Sequence, residues 1–268
     1  MFSKKLSTVF MNSSPEEKVK ILNKLNPSDQ LSQLFFDHLL INNQSPMHLG
    51  KLYNQIKNKE YQRQILCDFS EMYSYKFSHI DDGFKNNVEV QNHHFEYIPF
   101  DPHHFIQDIS LIKNKFNLDS FIDVGCGVGD KVLLAKYFLN FKKASGIELN
   151  KLTYALFTTF GGYHLDTYTL MGFNINAFDF KEYENYDLIY LFMPIASKER
   201  MRDLCKFIFS QMKIGGFYYE AIGSYNYLLD VMGVKDRLYG KRYSNLIEKT
   251  GKNKFEFVDY SVDIEGEY

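Results

Sequence analysis

Apolar residues recur along the first eighty positions at the three- and four-residue spacing of an amphipathic helix. Leu49, Leu52, Tyr53 and Ile56, then Ile65, Leu66, Phe69, Met72 and Tyr73, form one such stripe. Three helices are predicted, over 15–25, 27–41 and 46–77. Each opens on a cap residue followed by proline: Ser14-Pro15, Asn26-Pro27 and Ser45-Pro46. Glu17, three residues after Ser14, completes a capping box. The stripe on the third helix reads most simply as a packing face. Residues 81–118, with Gly83, Pro99 and Pro102, read as a connector holding a possible strand at 88–98.

From residue 119 the period changes. Short apolar runs alternate with helix-period segments, the signature of a doubly wound α/β sheet. Strands are predicted near 119–125, 143–149, 173–178, 186–193 and 215–222, and helices near 129–140, 150–160, 196–211 and 225–233. A hairpin around Gly251-Lys252-Asn253 supplies two final strands, from SNLIEKT and KFEFVDYSV. The chain therefore divides into a helical N-terminal region or lid (1–80), a connector contributing to the active site (81–114) and a nucleotide-type α/β domain (115–268).

The sharpest motif is Asp123 to Asp130, DVGCGVGD, at the end of the first predicted strand. Glycines at 125, 127 and 129 let a strand turn into a helix and bring a ligand against bare amides. Dinucleotide enzymes space these glycines as G-x-G-x-x-G. Here the third comes one residue early, and Asp130 follows it, an acid that would repel a pyrophosphate. Asp123 suits a cationic, amine-bearing ligand instead. An ordinary tight turn is the alternative. The second strand ends in Glu148, placed to accept hydrogen bonds from ribose hydroxyls.

This arrangement resembles motif I of the class I, seven-β-strand, Rossmann-like S-adenosylmethionine (SAM) methyltransferases. The resemblance implies a seven-stranded sheet with an antiparallel C-terminal hairpin, preceded by a small helical region. It implies S-adenosylmethionine as cofactor, held by Asp123, Gly125, Cys126, Gly127, Gly129, Glu148, Leu149, Phe178, Asp179 and Phe192. Asp179 would take the adenine amino group. Phe192-Met193-Pro194-Ile195, after the fourth strand, would lie nearest the transferred methyl. Base-amine methyltransferases carry Asn/Asp-Pro-Pro-aromatic there, so Phe192 and Ile195 argue against adenine or cytosine N-methylation. YIPFDPHHF (97–105) and Glu148-Leu149-Asn150 are similar to segments of the seven-β-strand protein-lysine methyltransferases. The implied acceptor is a protein side chain or a small molecule, with an amine favoured.

No residue has a spacing that singles it out as catalytic. Glu96, Tyr97 and Asp101, with the pairs His93-His94 and His103-His104, lie just before the core and are candidates; ordinary connector residues are the alternative. The histidine pairs lack the cysteine cluster or tetrahedral set of a zinc site, and the segment after the fourth strand, MPIASKER, lacks the Asp by which catechol-type enzymes bind a divalent cation. No metal is expected. Cys126 reads as a small residue that permits the turn, since direct methyl transfer needs no covalent intermediate.

Bulk properties narrow the class. In 268 residues, 45% hydrophobic, there is material for one large domain, or a core domain with a smaller one. Twenty Tyr and 25 Phe without Trp reflect compositional bias or aromatic walls for a substrate. A net charge of −2 with both signs interspersed gives no basic footprint for nucleic acid. Three unpaired-looking cysteines, no secretory leader pattern and no long apolar run suggest a cytoplasmic protein without a membrane span. A non-catalytic SAM-binding or interaction module and an NAD-dependent oxidoreductase are the competing readings.

Overall fold

The computed structural model describes residues 2–26, 28–42, 45–75, 100–149, 176–192, 194–195, 197–221 and 246–260. Its N-terminal part consists of helices α1 (Phe2–Asn12), α2 (Pro15–Leu22), α3 (Gln30–Ile41), α4 (Pro46–Gln55) and α5 (Lys59–Phe69), the last running into a π-helical turn, Ser70–Tyr75. The capping box of α2 is formed: the Glu17 N–H donates to Ser14 Oγ at 3.3 Å and the Ser14 N–H to Glu17 Oε2 at 2.9 Å. Two expectations are corrected here. The helix expected over 46–77 is broken at 56–58, because Asn58 caps α5 by accepting from the Glu60 and Tyr61 N–H groups. Asn23 holds the break from both sides, donating to the Gln55 carbonyl and accepting from the Lys57 N–H. The second helix starts at Gln30 rather than 27, after Asp29 in extended conformation.

The connector expected over 81–118 contains a further helix, α6 (Pro102–Phe116). Asp101 caps it by accepting from the His103 N–H at 2.8 Å, Pro102 takes the first turn, and Phe105, Ile106, Ile109 and Ile112 bury one face. Strand β1 (Ser120–Val124) follows, then α7 (Asp130–Leu133), which widens into a π-helical turn at Leu134–Phe138, and β2 (Lys143–Ile147). Next come β3 (Leu188–Leu191), α8 (Lys198–Gln211), β4 (Phe217–Glu220), β5 (Leu246–Gly251) and β6 (Lys254–Phe257). Residues 176–178, expected to finish a strand, form a turn in which the Asp179 N–H donates to the Asn176 carbonyl. The elements expected at 88–98, 150–160 and 225–233, and residues 173–175, lie outside the described residues.

The six described strands form one sheet in the order β2-β1-β3-β4-β5-β6. The first four are parallel; β5 and β6 are antiparallel, joined by the expected hairpin at 251–254. Helices cover both faces. Phe121, Tyr190, Phe217 and Tyr219 point to the face carrying α6 and α7, and share one apolar cluster with Phe10, Phe35, Phe36, Leu49 and Ile65 of the N-terminal helices. Ile122, Val124, Ile189, Leu191 and Tyr218 point to the other face, against Met201, Leu204 and Ile208 of α8. This is the doubly wound α/β architecture with N-terminal helices that the apolar pattern suggests. The strand order reverses direction at β1, with β2 on one side and β3 on the other, so a ligand crevice lies beyond their carboxyl ends. No helix among the described residues is long and apolar enough to cross a membrane.

Candidate active site

At the end of β1 the chain enters the glycine turn. Gly125, Gly127 and Gly129 all take positive φ, at 76°, 55° and 77°, a region costly for residues with a Cβ. The turn is tied to β2: the Gly125 and Cys126 N–H groups both donate to the Ile147 carbonyl, at 2.9 and 3.0 Å. Space is as tight as the torsions. A Cβ on Gly125 would lie 2.5 Å from Pro194 Cβ, across the switch point between β1 and β3. The Cys126 side chain is buried against Gly146, whose missing Cβ would meet its Sγ at 2.6 Å. Burial pushes this thiol well above its ordinary range, so it is a packing group rather than a nucleophile.

Glu148 reaches back over the turn. Its Oε2 accepts from the Gly127 N–H at 2.9 Å, which fixes the carboxylate at the mouth of the crevice. Leu149, exposed, forms the lip beside it. Below them Asp123 is fully buried, and neither carboxylate oxygen has a hydrogen-bond partner among the described residues. Desolvation pushes its carboxyl up to about 7; the Lys131 ammonium opposes that shift, and Asp130 and Glu148 add to it. Lys131 is itself buried. Its Nζ lies 3.6 Å from Asp130 Oδ1 and over the rings of Phe100 and Phe192, 4.2 and 5.0 Å from their centroids. One ammonium thus faces three carboxylates, an environment that favours a further cation.

The remaining expected residues are more dispersed. Phe192 is half-buried on the crevice wall. Phe178 packs on Phe207 of α8, with ring centroids 5.9 Å apart, and Asp179 is exposed in the following turn. Asp101 caps α6 and stands 3.4 Å from His104 Nδ1, and both line a cavity that also reaches Phe192. Glu96, Tyr97, His93 and His94 lie outside the described residues. Among those that are described, no three His, Cys, Asp or Glu side chains gather to hold a metal ion.

Tyr190, Tyr219 and Asp108 carry no sequence signal of their own. Asp123, Tyr190 and Tyr219 stand in register across three adjacent parallel strands, and alternation puts all three on the α6 face. The two tyrosine rings stack, 5.7 Å apart at 18°. Asp108, on α6, accepts from the Tyr219 hydroxyl at 2.7 Å. The cap-then-proline pair Asp101-Pro102 and the helical spacing of Phe105, Ile106, Ile109 and Ile112 are the signals that could have revealed the helix that carries Asp108.

Comparison with protein-family models and with curated proteins gives no match. Among solved structures, the chain is similar to an S-adenosylmethionine-dependent methyltransferase from Clostridium acetobutylicum: 21% identity, TM-score 0.40, covering 63% of this chain and 65% of that one. It is also similar to an amino pentose methyltransferase from Micromonospora echinaspora (16%, 0.38, 55% of each chain). A sugar N-methyltransferase from Streptoalloteichus is a third (15%, 0.36, 55% and 52%). The chain spans less than two thirds of the length of these structures. Likenesses of this size do not extend to function.

Proposed function

We propose that the chain is a class I S-adenosylmethionine-dependent methyltransferase acting on an amine. The observation that carries this reading is Asp123, a buried carboxylate without a partner among the described residues, beneath a three-glycine turn at the switch point of a parallel sheet. A cationic, amine-bearing ligand would satisfy it; a pyrophosphate would not. When bound, S-adenosylmethionine supplies an electrophilic methyl group on a sulfonium. The glycine turn (Gly125, Cys126, Gly127, Gly129) lets such a ligand approach the backbone. Glu148, whose carboxylate takes the Gly127 N–H, is assigned to accept from ribose hydroxyls, with Leu149 at the lip. Phe192 walls the methyl side, and Phe178 and Asp179 are assigned to the adenine end. The N-terminal helical region (1–80) and the connector (81–114) are assigned to closing the acceptor side.

The chain's own contribution is positioning and the exclusion of water. Incubation of the protein with methyl-labelled S-adenosylmethionine and a panel of aliphatic amines tests the reading. Amine-dependent S-adenosylhomocysteine is expected. Binding of the cofactor without turnover on any amine or cell extract would leave a binding module. Tight NAD binding without S-adenosylmethionine binding would return the oxidoreductase reading.

A further inference from the structure

A cavity of about 280 Å³ lies between α6 and the carboxyl ends of β3 and β4. Its walls are chiefly rings, Phe100, Phe105, Tyr190, Phe192 and Tyr219, and two carboxylates, Asp108 and Asp101, stand among them with His104. Phe105 meets Tyr190 edge-on at 5.3 Å. Two of these rings, Phe100 and Phe192, already carry the Lys131 ammonium, so a second cation is left to Phe105, Tyr190 and Tyr219 with the two carboxylates. Asp108 is oriented rather than free to swing: the Tyr219 hydroxyl donates to its Oδ2, and the Tyr260 hydroxyl lies 3.4 Å from that of Tyr219. Burial pushes the Tyr219 phenol upward, which keeps it a donor. The cavity also adjoins the cofactor corner, because Tyr190 and Tyr219 are one and two strands from Asp123, about 5 Å per strand.

We propose that this cavity is the acceptor subsite and takes a compact aliphatic amine, entering as its ammonium ion. The inference rests on the methyltransferase reading and names the substrate class of that site. Ring faces attract the cation by their quadrupoles, and the carboxylate confers preference over a neutral molecule of the same shape. The volume lies at the lower end of ligand pockets, roughly 300–1,000 Å³, which restricts the acceptor to a small amine or the end of one side chain. Asp108 takes one proton from the ammonium. The freed nitrogen lone pair attacks the methyl carbon, forming N–C as C–S breaks with its pair left on sulfur. The positive charge passes from sulfur to nitrogen, and the product leaves as an N-methylammonium.

The test is a calorimetric titration of the full chain with choline and with 3,3-dimethylbutan-1-ol, its neutral isostere. Choline is expected to bind about ten-fold tighter. Asp108→Asn, which still accepts from Tyr219, should weaken choline with thermal unfolding unchanged, and adding Asp101→Asn, which still caps α6, should bring it to the level of the isostere. Tyr219→Phe, which keeps the ring, should weaken choline less. Equal binding of the two probes, or full choline affinity in Asp108→Asn, overturns the proposal. Butylamine and Nα-acetyl-lysine amide, standing for a free amine and a protein side chain, should compete with choline. The stronger competitor identifies the source, and failure of both also overturns it. Titration of the same samples with S-adenosylmethionine separates the two levels. Loss of that binding alone sinks the methyltransferase reading, whereas intact cofactor binding without a preference for choline sinks only the subsite.

Discussion

Asp123 keeps its proton to about pH 7 because burial leaves its charge unsolvated. The unfolded chain releases that proton near 3.8. Between these values the folded state binds more protons, so stability falls as pH rises through the window and is flat above it. The whole change is on the order of 4 kcal/mol. Asp123→Asn should flatten this dependence and melt higher than the wild type at about pH 8. A bound ammonium group of the cofactor favours the carboxylate, so S-adenosylmethionine affinity should rise as pH rises towards 7, with release of a proton. Calorimetry near pH 6.5, roughly where the group is mostly protonated, in buffers of different ionisation enthalpy reads that proton directly. Buffer-independent heats would contradict the assignment.

The glycine turn and α6 are the elements that build the site. Gly125→Ala combines a positive φ with a 2.5 Å approach to Pro194. It should cost about 1–3 kcal/mol of stability and abolish cofactor binding, checked by denaturant unfolding and titration. Asp101→Ala removes the α6 cap and should cost about 1 kcal/mol. It should also weaken choline binding, because Asp101 both caps α6 and lines the cavity. The turn was legible from the sequence because its information is local: three glycines, an acid before them and an acid ending the next strand. The α6 helix was obscured by Pro99 and Pro102, although Asp101-Pro102 repeats the device that opens α2 and α4. The break at 56–58 was hidden for the opposite reason, since apolar spacing continues across it and only Asn58 marks it.

At the scale of the molecule, the N-terminal helices and one sheet face share a single apolar cluster. Their contact is close: Gly50 of α4 packs so near the π-helical turn that a Cβ would lie 2.4 Å from the Tyr137 carbonyl oxygen. Gly50→Ala meets backbone there, which cannot rotate away. It should cost about 1–3 kcal/mol and increase dye binding to exposed apolar surface. An unchanged melting temperature would show that the helical layer is held elsewhere. Such long-range contacts explain what the sequence left unread. Asp108, Tyr190 and Tyr219 come from three elements, and no spacing within one of them announces that they meet.

The central claim is a cofactor site built on Asp123, the glycine turn and Glu148. Calorimetric titration with S-adenosylmethionine of wild type and Glu148→Ala tests it most directly. Binding by the wild type is predicted, weakened in the variant by about 1–3 kcal/mol for loss of a charge-assisted acceptor, with thermal unfolding preserved. No binding by the wild type, or equal affinity in a folded variant, would contradict the account.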